Sequence, residues 1–373
     1  MITAFLLTHV PDPRMNKRIR MAKCSGEVIV ICVRRASQDI WEPYYKDVIH
    51  EIINVDLPPA RQIIKRIIAS RTYKKEAFVF LQKYKPDMIY TEGLDSLGIV
   101  LQYKKKTPCR IIYEVADLRE SFIEIPRSFT ARVISFIIKR QEKKLFACVD
   151  NLVVTSEKFY DMHYSRLISK DRMIFMPNVP DRECFESYVK KNIGVFTVGF
   201  IGGIRYLKQM KMLVDAAECV GCNVLFAGAG GTSDDYKQIM EYCKDKNNVT
   251  FTGKYNYNKD IARLYGMVDC VYAVYDADNP NVRIALPNKL YEAVLCQLPI
   301  IVAKNTYLSQ IVENWGVGIS VNHNDTNDLV CGLKKIMNDV GFYTSLTSAC
   351  QTKKYEISNE RYNAGLKSIL YAK

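Results

Sequence analysis

Short runs rich in β-branched and aromatic residues recur along this chain, with longer stretches of helical periodicity between them. The runs fall at residues 3–8, 27–32, 87–90, 110–114, 151–155 and 172–176, then at 195–202, 223–228, 249–253, 269–274, 299–303 and 318–321. Apolar runs of this length, alternating with helices, predict parallel sheets built from βα units. Between the two sets lies "NVPDRECFESYVKKN" (178–192), which is polar, holds Pro180 and reads as a linker. The chain is therefore expected to form two Rossmann-like halves with a cleft between them, a favoured place for a ligand. The expected boundaries are 1–180 for the first domain, 181–192 for the linker, 193–350 for the second domain, and 351–373 for a terminal helix that packs back on the first domain. A length of 373 residues, beyond the size at which single cores stop growing, agrees with two domains.

Hydrophobic content of 48% and charged content of 25% belong to a folded chain rather than a disordered one. No apolar run approaches the ~20 residues a spanning helix needs. The opening "MITAFLLTH" lacks the basic segment of a signal peptide, so a cytosolic protein is expected. Of the 12 cysteines, most lie in apolar runs where Cys behaves as a small hydrophobe. The pair Cys219 and Cys222 has no second pair or His cluster to complete a zinc site. Lys+Arg 53 against Asp+Glu 40 leaves a net charge of +13. That excess attracts nucleic acid, nucleotide phosphates or an acidic lipid surface, and charge alone does not choose among them. No RNP, zinc or helix-turn-helix signature supports nucleic acid.

Parallel sheets bind ligands beyond the carboxyl ends of their strands. In "GFIGGIRYLKQMKMLVDAAE" (199–218), Gly202 and Gly203 precede Arg205, Lys208 and a helix. Two cations beside a helix start make an anion site suited to a diphosphate, and a tight βα turn with solvated cations is the alternative. "LFAGAGG" (225–231) ends a second strand in Gly228, Gly230 and Gly231, and "TGKYNYN" (252–258) exposes Lys254 after a third. In "ALPNKLYEAVLCQLPIIVA" (285–303), Pro287 suits a first helical turn and Asn288 leaves free amides at the helix end. Glu292 lies one turn further in, on a side that Lys289 approaches by i, i+3 spacing. It either complements the helix dipole in a surface ion pair or accepts hydrogen bonds from vicinal hydroxyls.

Gly202 to Tyr206 with Lys208, and Pro287 to Ala293 followed by Leu298-Pro299, resemble the donor half of family 4 glycosyltransferases of the GT-B fold. Those that build bacterial capsular and exopolysaccharide repeat units are the most similar. In the first half "DPRMNKRIRMAKCSGEVIVI" (12–31), "YEVADLRESF" (113–122), "VVTSEKF" (153–159) and "PNVPD" (177–181) follow the order seen in that group, so the resemblance covers nearly the whole chain.

The resemblance implies an α/β, GT-B protein: two Rossmann-like domains with parallel sheets facing each other across a cleft. It implies a glycosyltransferase that uses a nucleotide-diphosphate sugar, a UDP-sugar being favoured. The acceptor would be lipid-linked or an oligosaccharide, with retention of configuration and no metal or other cofactor. Arg205 and Lys208 would hold the diphosphate and act on the leaving group, and Glu292 would hold the ribose. Gly202, Gly203, Gly228, Lys254, Asn288, Lys289 and Leu290 would complete the donor site. Asp117 would lie near the reacting sugar, with His9, Arg14 and Arg119 on the acceptor, and Lys17 beside them. Three positions depart from the family pattern: Ile284 stands where a glutamate is usual, Ala116 where histidine is common, and Gln297 where glycine is usual. The first two leave open an inactive nucleotide-sugar-binding subunit of an assembly complex, and the fold also hosts epimerases and hydrolases. Asp276-Ala-Asp278 spells a DxD, a metal motif of a different glycosyltransferase architecture, and no metal is expected here.

Two stretches combine apolar and basic residues. Residues 60–75 place Ile63, Ile64, Ile67 and Ile68 on one stripe with Arg61, Lys65 and Arg66, and residues 126–146 place Phe129, Val133, Phe136 and Ile137 beside a cluster of Lys and Arg. For the second, packing on the sheet is the simpler reading. With the net charge, an anionic membrane surface on the cytoplasmic side is the expected setting.

Overall fold

Alternation of buried strands with helices produces two open parallel sheets. The structure, a computed structural model, describes residues 1–38, 41–57, 63–118, 124, 128–191, 194–230, 234–357 and 359–371. It divides into residues 1–177 with 362–373, and residues 178–361.

The first unit contains β1 (Ile2–Leu7), α1 (Pro13–Lys23), β2 (Glu27–Arg34), β3 (Ile49–Asn54), α2 (Ile63–Tyr84), β4 (Met88–Glu92), α3 (Leu94–Lys104), β5 (Arg110–Val115), α4 (Phe129–Phe146), β6 (Asn151–Val154), α5 (Glu157–Met162) and β7 (Met173–Phe175). Its sheet order is β3-β2-β1-β4-β5-β6-β7. Phe5 on the central β1 lies level with Val30 on one side and Tyr90 on the other. All three are buried with Met15 and Ile19 of α1. That helix begins where Asp12 accepts the Met15 amide at 2.7 Å and Pro13 occupies its first turn.

The second unit contains β8 (Thr197–Ile201), α6 (Leu207–Val220), β9 (Asn223–Ala227), α7 (Asp235–Tyr242), β10 (Val249–Gly253), α8 (Tyr257–Gly266), β11 (Cys270–Ala273), α9 (Pro280–Ile284), α10 (Asn288–Leu295), β12 (Ile300–Ala303), α11 (Tyr307–Trp315), β13 (Gly318–Val321), α12 (Thr326–Asn338) and α13 (Val340–Glu356). Its order is β10-β9-β8-β11-β12-β13, again all parallel. A last helix, α14 (Asn359–Leu370), returns to the first unit, where Leu366, Ile369 and Leu370 join the core of Met15 and Ile174.

Every expected strand is present, and β3 is an addition. It lies at the sheet edge with mostly half-buried residues, so "IHEIIN" carries a weaker apolar signal than the central strands. Residues 181–191 differ from a free linker. They pack within the second unit, Phe185 lying 6.0 Å from the Tyr265 ring and Arg182 donating to the Lys354 and Ile357 carbonyls. The Cys219 and Cys222 pair is split between surface and core, with both thiols free. Gln297 takes a φ of 55°, a left-handed conformation that costs a side chain about 1 kcal/mol. No helix among the described residues is long and apolar enough to cross a membrane. The stretch 60–62 and the side chains of residues 63–67 lie outside the described residues, as do Arg119 and Gly231.

Each sheet reverses its direction of growth once, between β1 and β4 and between β8 and β11. The chains leaving those neighbouring strands diverge, which opens a crevice at their carboxyl ends. In the second unit the crevice wall depends on glycine. A Cβ on Gly228, whose φ is 130°, would run into the Gly202 carbonyl oxygen. Gly228→Ala is therefore expected to destabilise this unit by about 3 kcal/mol or more. Gly221→Ala, left-handed but with open space around it, is expected to cost only about 1 kcal/mol. Urea unfolding followed through Trp315 measures both, and equal losses would contradict the close approach.

Candidate functional site

Glycines bring three strand ends of the second unit edge to edge. After β8 the Gly202 amide donates to the Ala227 carbonyl at 2.8 Å, and the Ile204 amide to Ala229 at 3.2 Å. The Gly228 amide in turn donates to Gly253 at 2.9 Å. Tyr206, at φ 65°, turns the chain into α6 while its amide donates to the Asp235 carboxylate at 3.1 Å. Arg205 and Lys208 flank that turn, both exposed, and Lys254 is exposed after β10. None of the three forms an ion pair among the described residues.

Lys289 is different in kind. It lies in the first turn of α10 and is only 8% exposed. Its ammonium donates to the Tyr275 hydroxyl at 3.0 Å and lies 4.3 Å from the Phe200 ring centroid. A Cβ on Gly202 would come within 2.8 Å of it, so the glycine makes room for the cation. Among the described residues no carboxylate pairs with Lys289. Burying an ammonium without a counter-charge is costly, and aromatic faces offset only part of that cost. Gly202 follows β8 and Tyr275 follows β11, so the cation stands at the crevice where the sheet changes direction. It carries uncompensated positive potential there.

Asn288 is exposed at the start of α10, where the first amides of a helix have no internal partner. Leu290 is fully buried and its amide donates to Pro287, so neither part of it is available to a ligand.

Glu292 forms no ion pair among the described residues. It is 3% exposed, accepting from Tyr257 and Tyr265 at 2.6 Å each, one hydroxyl per oxygen. Burial first, then the neighbouring Glu292 charge, push both phenols up, so they remain donors. The i, i+3 spacing did not bring Lys289 to Glu292, because each turned towards a buried aromatic partner on its own side of the helix.

Asp276 and Asp278 follow β11, and His323 follows β13. Their potential ligand atoms lie within 4.8 Å of one another, so this trio is the group among the described residues that could hold a cation. His323 Nδ1 is 3.3 Å from Asp276 and Nε2 is 3.8 Å from Asp278. His323 Nδ1 is buried without a hydrogen-bond partner among the described residues, and Nε2 lies 3.2 Å from the Asn324 side-chain amide nitrogen.

At the matching point of the first unit the charges are paired internally. Arg14 donates to Glu92 at 2.8 Å and to Glu114 at 2.7 Å. Arg18 donates to Glu114 and to the Met176 carbonyl, and the Tyr90 hydroxyl donates to Glu114. His9 faces the Val10 carbonyl at 2.8 Å through Nδ1 and Glu92 through Nε2. A carbonyl at one ring nitrogen and a carboxylate at the other both favour the protonated ring. Burial opposes that charge, but the Glu92 hydrogen bond and charge outweigh it and raise the His9 pKa. Burial likewise opposes the Glu114 charge, yet Arg18 and then Arg14 lower it to about 2. Arg14 is thus not a free acceptor-binding cation as expected, since two glutamates hold its guanidinium. His9 keeps about a third of its side chain exposed. Asp117 is exposed beyond β5, and the Ala116 carbonyl accepts the Thr155 hydroxyl at 2.9 Å.

Glu92, Glu114 and Arg18 escaped the sequence reading, as did the Tyr257, Tyr265 and Tyr275 partners. For Glu114 a signal existed: a carboxylate inside the apolar run "RIIYEV" must be neutralised by something. The tyrosines looked like ordinary core residues.

Two outcomes follow from this charge distribution. Lys289→Met removes an unpaired buried charge, so the ligand-free second unit is expected to gain about 1 kcal/mol in urea unfolding read at Trp315. A loss of similar size would make Lys289 a structural cation. In the first unit, the Glu114 contribution is complete above its ordinary 4.5 and is lost as pH falls through about 2. The His9 contribution is complete below 6.5 and is lost as pH rises through its higher folded value. Stability read at Trp41 in a Trp315→Phe background is expected to be greatest between pH 4.5 and 6.5. Glu114→Gln should lower that plateau by about 3 kcal/mol and flatten the acid limb. A wild-type profile without either limb would contradict the ionised cluster.

Residues 195–339 match the family described as Glycosyl transferases group 1. No curated protein sequence matches the chain. Among solved structures, sucrose-phosphate synthase from Thermosynechococcus elongatus superposes with a TM-score of 0.72 at 16% identity, covering 99% of this chain and 98% of that one. Anabaena HepE in complex with UDP and glucose gives 0.71 at 15% identity, covering 100% and 99%. WaaG, a glycosyltransferase involved in lipopolysaccharide biosynthesis, gives 0.71 at 13% identity, covering 100% of both chains. The chain therefore has the GT-B fold of these glycosyltransferases.

Proposed function

We propose that this protein is a glycosyltransferase that moves a sugar from a nucleotide-diphosphate donor, a UDP-sugar being favoured, to a lipid-linked or oligosaccharide acceptor in bacterial surface polysaccharide synthesis. The observation that carries the reading is Lys289, a buried ammonium without a carboxylate partner among the described residues, at the crevice of the second sheet. An anion is the missing partner, and the exposed Arg205, Lys208 and Lys254 around the same strand ends enlarge the charge it would meet. The family match over this unit supports a nucleotide-sugar reading, as do HepE structures that hold UDP and UDP-glucose.

In this proposal the diphosphate lies against Gly202, Gly203 and Gly228, with Lys289 beneath it and Arg205 and Lys208 above. Negative charge grows on the departing diphosphate as the sugar becomes oxocarbenium-like, and fixed cations aimed at that charge lower the barrier. No nucleophile is assigned. Glu292 uses one lone pair on each oxygen for Tyr257 and Tyr265, and a carboxylate oxygen accepts more than one hydrogen bond. The ribose would meet it on the less buried Tyr257 side. His9 and Asp117 are the proposed acceptor-side groups. Retention and metal independence are part of the same reading, and the net charge of +13 supports a place on the anionic cytoplasmic face of the membrane.

A second reading, a non-catalytic nucleotide-sugar-binding subunit, is favoured by Ile284, an apolar, buried residue at the place where the resembled family usually has glutamate. It shares donor binding and differs in turnover.

Calorimetric titration with UDP separates site from fold. Arg205→Ala and Lys208→Ala are each expected to weaken UDP binding about tenfold or more. Each should also slow transfer by about 10²-fold. Unchanged affinity in both variants would overturn the assignment. EDTA is expected to leave the rate unchanged, whereas a loss restored by Mg²⁺ would place a metal at Asp276, Asp278 and His323. Donor hydrolysis without an acceptor would favour a hydrolase, and binding without turnover on any acceptor the subunit reading.

A further inference from the structure

Glu292 is reached by way of one tyrosine. Its Oε2 accepts from Tyr265, a fully buried residue near the end of α8 whose ring lies 6.0 Å from that of Phe185. Its Oε1 accepts from Tyr257, which is half-buried. The Tyr257 phenol therefore covers the more open side of a carboxylate that is itself 3% exposed.

The two phenols differ in their freedom to leave. Tyr257 is the first residue of α8, and its neighbours hold the helix start without it. The Asn256 side chain accepts the Lys259 amide at 3.3 Å, and the Asp260 carboxylate accepts the Asn256 amide at 2.8 Å. Rotation of the Tyr257 side chain thus breaks its hydrogen bond to Glu292 and leaves the backbone in place. Tyr265 can move only by opening the core around it. Tyr257 also stands close to the glycine turns, because Gly253, which accepts the Gly228 amide, ends β10 just before it.

The cation and the carboxylate of α10 stand in opposite conditions before a ligand arrives. Lys289 has no carboxylate partner among the described residues, whereas each oxygen of Glu292 already holds a phenol. A phosphate approaching Lys289 finds an open partner, and a ribose approaching Glu292 finds the outer oxygen taken. Phenol and sugar hydroxyls are equivalent donors to an anionic oxygen, each forming a charge-assisted hydrogen bond. Exchange of one for the other is close to balanced, so the bond given up subtracts from the affinity that the ribose contributes.

We infer that Tyr257 is a positioning residue of the donor site. Its hydroxyl holds the place of a ribose hydroxyl on Glu292 Oε1 in the free protein, yields it to the bound nucleotide, and takes it back as the nucleoside diphosphate leaves. The inference rests on the proposed donor site and goes beyond it in giving Tyr257 control of nucleotide release. The buried carboxylate then keeps a donor on each oxygen at every stage. Anions without a nucleoside do not displace the phenol.

The test compares wild type with Tyr257→Phe, using calorimetric titration with UDP and with pyrophosphate and dissociation rates from surface plasmon resonance. The variant is expected to bind UDP about tenfold tighter, through slower dissociation, with pyrophosphate affinity unchanged. Its urea midpoint read at Trp315 should fall, because Glu292 loses a donor. A merely structural tyrosine would lose stability and affinity together. In a Glu292→Gln background the same change should tighten UDP no more than about threefold, since a neutral oxygen holds the phenol less tightly. Fluorotyrosine in place of Tyr257, which keeps the hydroxyl, should shift its fluorine resonance with UDP and not with pyrophosphate. Equal or weaker UDP binding by Tyr257→Phe, an equal gain for pyrophosphate, or a resonance unmoved by saturating UDP would overturn the inference and leave the donor site standing. Wild type that binds no UDP would overturn the donor site, and the inference with it.

Discussion

A buried ammonium with no carboxylate partner among the described residues organises the second unit. Lys289 reaches the strand ends only because Gly202 has no Cβ, and Gly202 can turn there only because Gly228 leaves its carbonyl room. Phe200 and Tyr275 hold the charge in place through a ring face and a hydroxyl. Each is an incomplete substitute for a carboxylate. The site is therefore electrostatically unfinished in the free protein, and an anion arriving at the crevice would complete it. Conformational cost is met in advance by the glycine turns, so binding energy is left for the anion itself.

The two units answer the same topological problem in opposite ways. Each sheet reverses between neighbouring strands and so creates a crevice. In the first, His9, Arg14 and Arg18 face Glu92 and Glu114, and the charges cancel within the protein. In the second, the cations remain uncancelled. A crevice that neutralises itself is suited to uncharged, hydroxyl-rich partners, and one that stays positive is suited to phosphate. That contrast follows from the placement of acids within β4 and β5, whereas Asp235 and Asp276 of the second unit face the Tyr206 amide and His323.

Much of the architecture was legible in the sequence. Central strands such as "TVGFI" and "IIVA" are buried on both faces and announce themselves, whereas β3, half-exposed at an edge, does not. The donor-side loops were legible because glycine pairs and cations follow strands. What stayed hidden were the partners. Helical spacing allowed Lys289 and Glu292 to meet, but only packing shows that each turns to tyrosines contributed by other elements. Arg14 looked available because the glutamates that hold it lie 78 and 100 residues away in sequence. The orientation of α4 was misjudged for a related reason: composition showed an apolar stripe fit to pack on the sheet. Phe129, Val133, Phe136 and Ile137 are instead exposed, because the buried Glu142 and Phe146 decide which side faces inward.

The most direct measurement is a crystal structure of the protein soaked with UDP. Lys289 is expected to leave the Tyr275 hydroxyl for a diphosphate oxygen at about 2.8 Å, with the amide of Gly203 on the same group. UDP bound elsewhere, with Lys289 still on Tyr275 and the glycine turns empty, would contradict the claim that this cation waits for an anion.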